Sequence, residues 1–406
     1  MPVNQRLTNV ACVTPDGMIH RDLMIRGDCF AGFCDPADSA APGWRVVDCK
    51  GAIAYPGMID LLQHGMYRYL YGDAEPGALA ATSEFLLSCG TTGYLPSFGC
   101  VPTPRMVEIL AELSDQSAQT GGARALGIHS EGPCFALPGA HNPENLGKPG
   151  KELADIMLEA ANGKLAAVTV APELPGAEEF IRHLKAARVS IHLGHSAANP
   201  HDVPRYLSWG IDAVTHIFNV LPPSPYEGMG VHPYSLSDAL LAEPDLPLGL
   251  VCDGHHTDPG FVRLLAQLPP HRVFLETDAM KYAGAEDTEF EFYPGYRVTS
   301  RKGHAVRDAN GGLCGSSLTP DEAMRNFLHL GGADLVRAAH ATSLVPARVL
   351  GRDTELGSIS IRKMADFLLL DANDLSLRST WVGGVQRWSA SATDHARHAE
   401  SPRRAG

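Results

Sequence analysis

Short apolar runs alternate with amphipathic stretches along the middle of the chain. Eight runs have the length and composition of buried strands: 55–64, 93–98, 125–131, 167–173, 189–195, 213–219, 248–256 and 273–278. The stretches between them space apolar residues as a helix does, for example 78–89, 106–113, 177–187 and 260–268. Eight strand–helix units predict an α/β protein with a (β/α)8 TIM-type barrel. Short buried strands resemble buried helix segments, so a count different by one stays open.

The two ends of the chain carry a different pattern. Short alternating runs broken by Gly, Pro and Asp fill residues 1–54, and similar runs return at 355–390. This pattern is typical of β-structure, so we expect the two ends to form one small β-sandwich domain. The barrel then spans residues 55–354, with helical patterns at 320–330 and 333–350 after its eighth strand. The polar, Ala-rich tail at 391–406 predicts a flexible terminus.

Chemically active side chains follow several of the strand-like runs. Glu131, His195, His216 and Asp278 each stand at or just after the end of such a run. In a barrel of parallel strands, the carboxyl ends meet on one face and form the active site. One carboxylate and two imidazoles, with a position left for water, form the ligand set of a catalytic zinc-type site. Asp278 is the predicted acid/base of a hydrolase.

Each of these residues also has a structural explanation. Asp278 could cap the turn that follows it, and Glu131 could cap a helix. A single His after an apolar strand more often packs as a buried or rim residue, and we interpret His129 and His192 in that way. The equivalent positions of the candidate residues on one barrel favour the metal site over independent coincidences.

Charge and cysteine content limit the classes of partner. The 406 residues include 46 acidic and 33 basic residues, for a net charge of −13. This balance argues against a nucleic-acid partner and against an anionic membrane surface. Nine cysteines without a CxxC pair indicate reduced thiols. With no signal-peptide pattern and no membrane-length apolar run, we expect a cytoplasmic protein.

Several motifs carry a resemblance that covers almost the whole chain. They occur at 55–60 (YPGMID), 129–133 (HSEGP), 139–143 (GAHNP), 194–196 (GHS), 215–219 (THIFN), 277–280 (TDAM) and 315–319 (GSSLT). In their content and order the chain resembles the amidohydrolase superfamily, and within it the N-acetylglucosamine-6-phosphate deacetylases. The resemblance implies metal-dependent hydrolysis of the N-acetyl amide of an amino sugar, which releases acetate and the free amine. It also implies a small-molecule substrate, and we expect a homodimer.

The resemblance implies a role for each matching residue. The metal ligands would be Glu131, His195 and His216, and the general base would be Asp278. Four further residues would contact the substrate, with the first near the acyl carbonyl: His141, His256, Asn219 and Val220.

The first strand departs from the common superfamily pattern. Many members place His-x-His at its end, whereas this chain has Leu62-Gln63-His64. Leu62 cannot ligate a metal, so we expect one divalent ion per chain. Zn is favoured, and Fe, Co or Mn are the alternatives. His64 is expected near the acyl pocket or at a weak second metal site.

A second departure concerns the phosphate. The family carries an Arg in the loop after the sixth strand, but residues 222–230 contain no Arg or Lys and include Glu227. Arg68 or Lys281 could replace that cation, or either could be ordinary surface charge. Three functions therefore stay open: a phosphorylated amino sugar as substrate, another N-acyl substrate such as a plain amino sugar or an N-acyl amino acid, and a non-catalytic relative.

Overall fold

The computed structural model describes residues 4–39, 42–223 and 233–391, and a parallel barrel forms its centre. The eight predicted strands are all present, in sequential order around the barrel. They span Met58–Gln63, Thr91–Phe98, Ile128–Glu131, Leu165–Val170, Ser190–Leu193, Ala213–Val214, Leu248–Val251 and Val273–Glu276. A short strand, Arg124–Ala125, adds to the second. The backbone N–H of Asp278 donates to the Leu62 carbonyl at 2.9 Å, and a parallel Gln63–Ala279 bridge joins the eighth strand to the first.

Burial of the barrel strands and of one face of each surrounding helix matches their sequence patterns. Nearly every residue of these strands is buried, as expected where helices cover a parallel sheet on its outer face and side chains fill the interior. Helix Ala177–Ala186 buries Phe180, Ile181 and Leu184 and exposes its acidic residues. The other α-helices span Ala78–Leu87, Thr103–Ser117, Lys151–Ala160, Val203–Leu207, Leu236–Ala242, Pro259–Leu265, Pro320–Gly331, Leu335–Ala339 and Val345–Val349. Single 3-10 turns lie at Tyr71–Asp73, Pro143–Asn145 and Pro200–Asp202.

Both ends of the chain contribute to one eight-stranded sheet, which we call the terminal sheet. Its strands are Gln5–Thr14, Gly17–Ile19, Asp22–Arg26, Cys29–Cys34, Arg45–Pro56, Phe367–Leu370, Leu377–Val382 and Val385–Ser389. The sheet has an apolar core of its own, in which the Phe367 ring stacks on Trp381 with centroids 5.2 Å apart. Its strand Arg45–Pro56 ends just before the first barrel strand, so the two units are covalently continuous.

A second sheet, absent from the sequence expectations, follows the eighth barrel strand. Its four antiparallel strands are Thr288–Tyr293, Tyr296–Ser300, Ala305–Asp308 and Leu313–Ser316, and we call it the insert sheet. Its signal was present in the alternation of Thr288-Glu-Phe-Glu-Phe-Tyr293 and the Pro294-Gly295 turn. A separate two-stranded ribbon, Gly65–Met66 with Tyr69–Leu70, follows the first barrel strand.

The final helical region differs from the single helix expected at 333–350. It contains two short α-helices with a π-helical segment, His340–Leu344, between them. Pro346 follows that segment and has no backbone N–H to donate, which interrupts regular helical bonding.

The predicted flexible tail lies outside the described residues except for residue 391. Within the described ranges, no helix has both the length and the apolar character needed to cross a membrane.

We predict that Phe367→Ala lowers the free energy of unfolding by about 3–5 kcal/mol, because it leaves a cavity beside Trp381 in the terminal sheet. Denaturant unfolding of purified protein measures the change. Val385→Thr is the matched control: its side chain is half exposed, and it should stay within about 0.5 kcal/mol of the parent. A loss below about 1 kcal/mol for Phe367→Ala would contradict a closed core at this ring.

Candidate active site

All nine residues that the sequence predicts for the site line one cavity. It opens where the carboxyl ends of the barrel strands meet. Glu131 ends the third strand, and His195, His216 and Asp278 each lie two residues beyond a strand. The remaining five lie on the loops that follow the strands: His64, His141, Asn219, Val220 and His256. The fold therefore brings together the whole predicted set.

The strand ends turn sharply where they present these side chains. His195, His216 and Asp278 have φ values of 50°, 32° and 50°, and Val220 has 52°. Left-handed backbone is unfavourable for residues with a Cβ, and most of all for a β-branched one. Such strain persists only where surrounding structure enforces it, and it concentrates at functional sites.

Glu131 is the centre of the cavity. Its Oε1 atom lies 3.2 Å from His195 Nε2 and 3.0 Å from His216 Nε2. Its Oε2 atom lies 3.0 Å from the Nε2 atoms of both His64 and His141. The carboxylate is 2% exposed, so these four imidazoles replace the hydration that it loses on burial.

The electrostatics of the site favour a bound positive charge. Burial raises the pKa of Glu131, but His141 and His195 outweigh it and hold the pKa well below its ordinary value. Burial lowers the pKa of His216, yet the hydrogen bond and charge of Glu131, helped by Asp278, raise it to about 9. Burial lowers the pKa of His195 to about 4. The anionic carboxylates thus attract a cation, which competes with a proton for imidazole lone pairs.

Hydrogen bonds at the far ring nitrogens distinguish two kinds of imidazole. His195 Nδ1 faces the Leu137 carbonyl at 2.9 Å, and a carbonyl only accepts, so Nδ1 carries the proton and Nε2 keeps its lone pair. His141 Nδ1 instead accepts from the backbone N–H of Cys100 at 3.4 Å, which leaves the proton on Nε2. His195 is therefore arranged as a metal ligand and His141 as a hydrogen-bond donor.

Two overlapping sets of donors could surround a metal. The ligand atoms of Glu131, His141 and His195 lie within 4.8 Å of one another. His216 is equally close, with its Nε2 atom 3.2 Å from His195 Nε2. The hydrogen bond from Cys100 favours His216 over His141 as the third ligand. Two imidazole Nε2 atoms and a carboxylate oxygen that converge in a buried site are the donor set that a divalent cation takes once it displaces the proton from His216.

Asp278 faces the same centre from the eighth strand. Its Oδ1 atom lies 3.4 Å from His64 Nε2, and its Oδ2 atom lies 3.9 Å from His256 Nε2. Burial raises the pKa of this carboxyl, the imidazole of His64 opposes the rise, and the charge of Glu131 adds to it. A carboxylate whose proton affinity is raised in this way is suited to acid–base work.

The structure adds supporting residues to which sequence reasoning gave no role. Glu276 accepts the backbone N–H of His216 at 2.5 Å and has a pKa raised by burial to about 8. Asp253 accepts from His256 Nδ1 at 2.7 Å. The Phe135 ring stacks on His195 with centroids 4.0 Å apart. A charged residue inside the apolar run 273–276 was the one available signal for Glu276.

Close backbone approach explains a glycine beside the site. A Cβ on Gly99 would lie 2.4 Å from His141 Nδ1, so only glycine allows the ring its position.

His129 and His192 lie deeper in the barrel. His129 is bonded to the Leu61 carbonyl and to the Thr169 hydroxyl, both at 2.8 Å, and His192 Nε2 faces the Ser190 hydroxyl. The contacts of both rings agree with the interpretation of His129 and His192 as buried structural residues.

Known proteins of similar sequence cover nearly the whole chain. It is 33% identical to the N-acetylgalactosamine-6-phosphate deacetylase of Escherichia coli O157:H7, over 84% of this chain and 89% of the relative. It is 30% identical to the mouse N-acetylglucosamine-6-phosphate deacetylase, over 96% of each. The chain belongs to the N-acetylglucosamine-6-phosphate deacetylase family of the amidohydrolase superfamily. No protein-family model matches it.

Solved structures of the deacetylase family agree with the fold. The N-acetylglucosamine-6-phosphate deacetylase of Pasteurella multocida superposes with a TM-score of 0.86 at 26% identity, over 95% of this chain and all of the other. The enzyme of Thermotoga maritima gives 0.82 at 25% identity, over 94% and 99%. The predicted barrel with a small β-domain is thereby confirmed.

We predict that Glu131→Gln and His195→Asn each remove most of the bound metal, since each deletes one of three protein donors. Elemental analysis of purified protein should give about one equivalent per parent chain, the content of a single three-ligand site. Glu179→Gln, on an exposed helix face, is the matched control and should keep full metal content. Full occupancy in both site variants, or two tightly held equivalents in the parent, would contradict this ligand set.

Proposed function

We propose that the chain is a metal-dependent hydrolase that cleaves the N-acetyl amide of an amino sugar and releases acetate and the free amine. The observation that carries the proposal is that Glu131, His195, His216 and Asp278 line one cavity. Family membership supports the reaction type, since the deacetylases that it resembles act on linear amide bonds.

Glu131, His195 and His216 would hold the metal, and each has a buried donor atom directed at the same centre. When bound there, a divalent cation supplies Lewis acidity to the attacking water and the amide carbonyl. Imidazole and carboxylate donors suit a borderline divalent ion; we favour Zn, with Fe, Co and Mn as alternatives. Leu62 is fully buried and offers no donor, in keeping with one ion per chain.

Asp278 would act as the general base and then as the general acid. Its raised pKa makes the carboxylate a stronger proton acceptor than a solvated Asp. It takes the proton of the water as the C–O bond forms. It then returns that proton to the amide nitrogen as the C–N bond breaks, so the amine leaves as a neutral group.

His141 would stabilise the oxygen of the amide carbonyl. The N–H of Cys100 bonds to Nδ1, so Nε2 carries the proton. That Nε2–H faces Glu131 Oε2 at 3.0 Å, and the developing oxyanion would compete for it. His64, which lies between Glu131 and Asp278, would border the acyl group.

His256, Asn219 and Val220 would contact the sugar. Asp253 fixes the ring of His256, and the Asn219 amide N–H donates to the His256 carbonyl at 3.0 Å. The amide oxygen of Asn219 is buried at the cavity and has no partner among the described residues, so it is available to a substrate hydroxyl. A homodimer and a cytoplasmic location remain predictions. All nine cysteines are free thiols.

We predict that Asp278→Asn lowers kcat by about two to four orders of magnitude, the usual contribution of a general acid–base group. The substitution keeps the side-chain shape but removes the proton acceptor, so metal content should stay at the parent level. Acetate release and elemental analysis on the same sample measure both quantities. Asp245→Asn, whose carboxyl is 92% exposed, is the control and should keep parental turnover. Near-parental turnover by metal-loaded Asp278→Asn would exclude Asp278 as the base.

A further inference from the structure

We propose that Ser316 positions the carboxylate of Asp278 by fixing the two peptide groups that flank it. Ser316 is the last residue of the insert-sheet strand Leu313–Ser316, and it is fully buried. It lies in the motif at 315–319, to which the proposed reaction assigns no role. The inference rests on the proposed function of Asp278 as the general base, and it identifies a residue that acts through Asp278.

The turn that carries Asp278 needs support from outside. Its backbone is left-handed at Asp278, with a φ of 50°, a conformation that persists only where neighbouring groups enforce it. The carboxylate itself is held loosely, since Oδ1 lies 3.4 Å from His64 Nε2 and Oδ2 lies 3.9 Å from His256 Nε2. Both distances exceed the range of about 2.7–3.2 Å for an N–H···O hydrogen bond. The orientation of the carboxylate therefore depends mainly on its backbone.

Ser316 bonds to both peptide groups beside Asp278. Its hydroxyl donates to the Thr277 carbonyl at 2.6 Å, which belongs to the peptide group before Asp278. Its backbone N–H donates to the Asp278 carbonyl at 2.8 Å, which belongs to the peptide group after it. Its own carbonyl accepts from the Met280 N–H at 2.9 Å. The two flanking peptide planes set φ and ψ of Asp278, so these bonds fix the direction in which the side chain leaves the backbone.

The first barrel strand fixes the opposite edge of the same turn. The Asp278 N–H donates to the Leu62 carbonyl at 2.9 Å. The insert sheet can approach the turn because Gly315 has no side chain: a Cβ there would lie 2.6 Å from the Asp278 carbonyl oxygen. Asp278 is thus held between a barrel strand and the insert sheet, and Ser316 supplies hydrogen bonds on the insert side.

Ser317 offers a matched control for the hydroxyl of Ser316. It is 2% exposed, and its hydroxyl donates to the Arg301 carbonyl at 2.7 Å and to the His304 carbonyl at 2.8 Å. Both acceptors lie between two strands of the insert sheet. Replacement by Ala deletes a buried hydroxyl in either case, so both variants should lose similar thermal stability. The hydroxyl of Ser316 alone of the two bonds to the Asp278 turn.

The experiment measures acetate release from N-acetylglucosamine 6-phosphate by the metal-loaded full chain. In Ser316→Ala the Thr277 carbonyl loses its donor, and the turn can relax. We expect kcat to fall about tenfold or more at parental metal content, because a misplacement on the order of 1 Å costs about a hundredfold in rate. KM should stay within about twofold, since the lost positioning acts in the transition state. Ser317→Ala should keep the parental kcat.

The double variant Ser316→Ala, Asp278→Asn tests whether Ser316 acts through Asp278. Once the base is absent its position no longer matters, so Ser316→Ala should change the residual kcat of Asp278→Asn by less than about twofold. A structural role alone would give the same loss in both backgrounds. Ser316→Cys, which is of similar size but a weak donor, should show the same pattern and replaces the Ala variant if that variant does not fold.

Three results would overturn the proposal: parental kcat in folded, metal-loaded Ser316→Ala or Ser316→Cys, an equal loss in Ser317→Ala, or an equal loss in the Asp278→Asn background. These results leave the hydrolase function intact. That function fails instead if Asp278→Asn at full metal content keeps the parental turnover. Absence of acetate release by the metal-loaded parent would remove the function on this sugar phosphate, and this proposal with it.

Discussion

A buried carboxylate surrounded by imidazoles is the interaction on which the site depends. An unpaired charge in a protein interior costs several kcal/mol, so Glu131 requires partners on both of its oxygens. His195 and His216 contact one oxygen, and His64 and His141 contact the other. These partners come from different strand ends and loops, so one charge sets the relative positions of much of the catalytic face.

The two sides of that carboxylate have different chemistry because their outer hydrogen bonds differ. A backbone carbonyl at His195 Nδ1 leaves a lone pair facing the centre, whereas a backbone N–H at His141 Nδ1 leaves a proton there. Main-chain groups of the barrel loops therefore give His195 and His141 opposite proton positions beside the same carboxylate. The Leu137 carbonyl and the Cys100 N–H thus orient the two rings that face the cavity.

The titratable and the apolar residues of the cavity lining come from different parts of the fold. The candidate reactive groups stand at the ends of barrel strands, where the surrounding structure holds His216 and Asp278 in left-handed backbone conformations. The apolar wall comes from the insert sheet, through Phe292 and Leu313. Loops and insertions vary more readily than barrel strands, because fewer buried contacts depend on them.

The sequence alone determined the barrel and predicted the candidate reactive residues. The apolar runs predicted the buried strands correctly. A candidate reactive residue stands at or just after the end of four of them: Glu131, His195, His216 and Asp278. Local pattern could not determine which imidazole is a ligand or a donor, since that depends on contacts such as the one from Cys100, 41 residues from His141 in sequence. Local pattern also could not predict that Lys281 pairs with Asp73, or that Phe292 and Leu313 line the cavity. These features depend on side chains distant in sequence, so only the tertiary structure decided them.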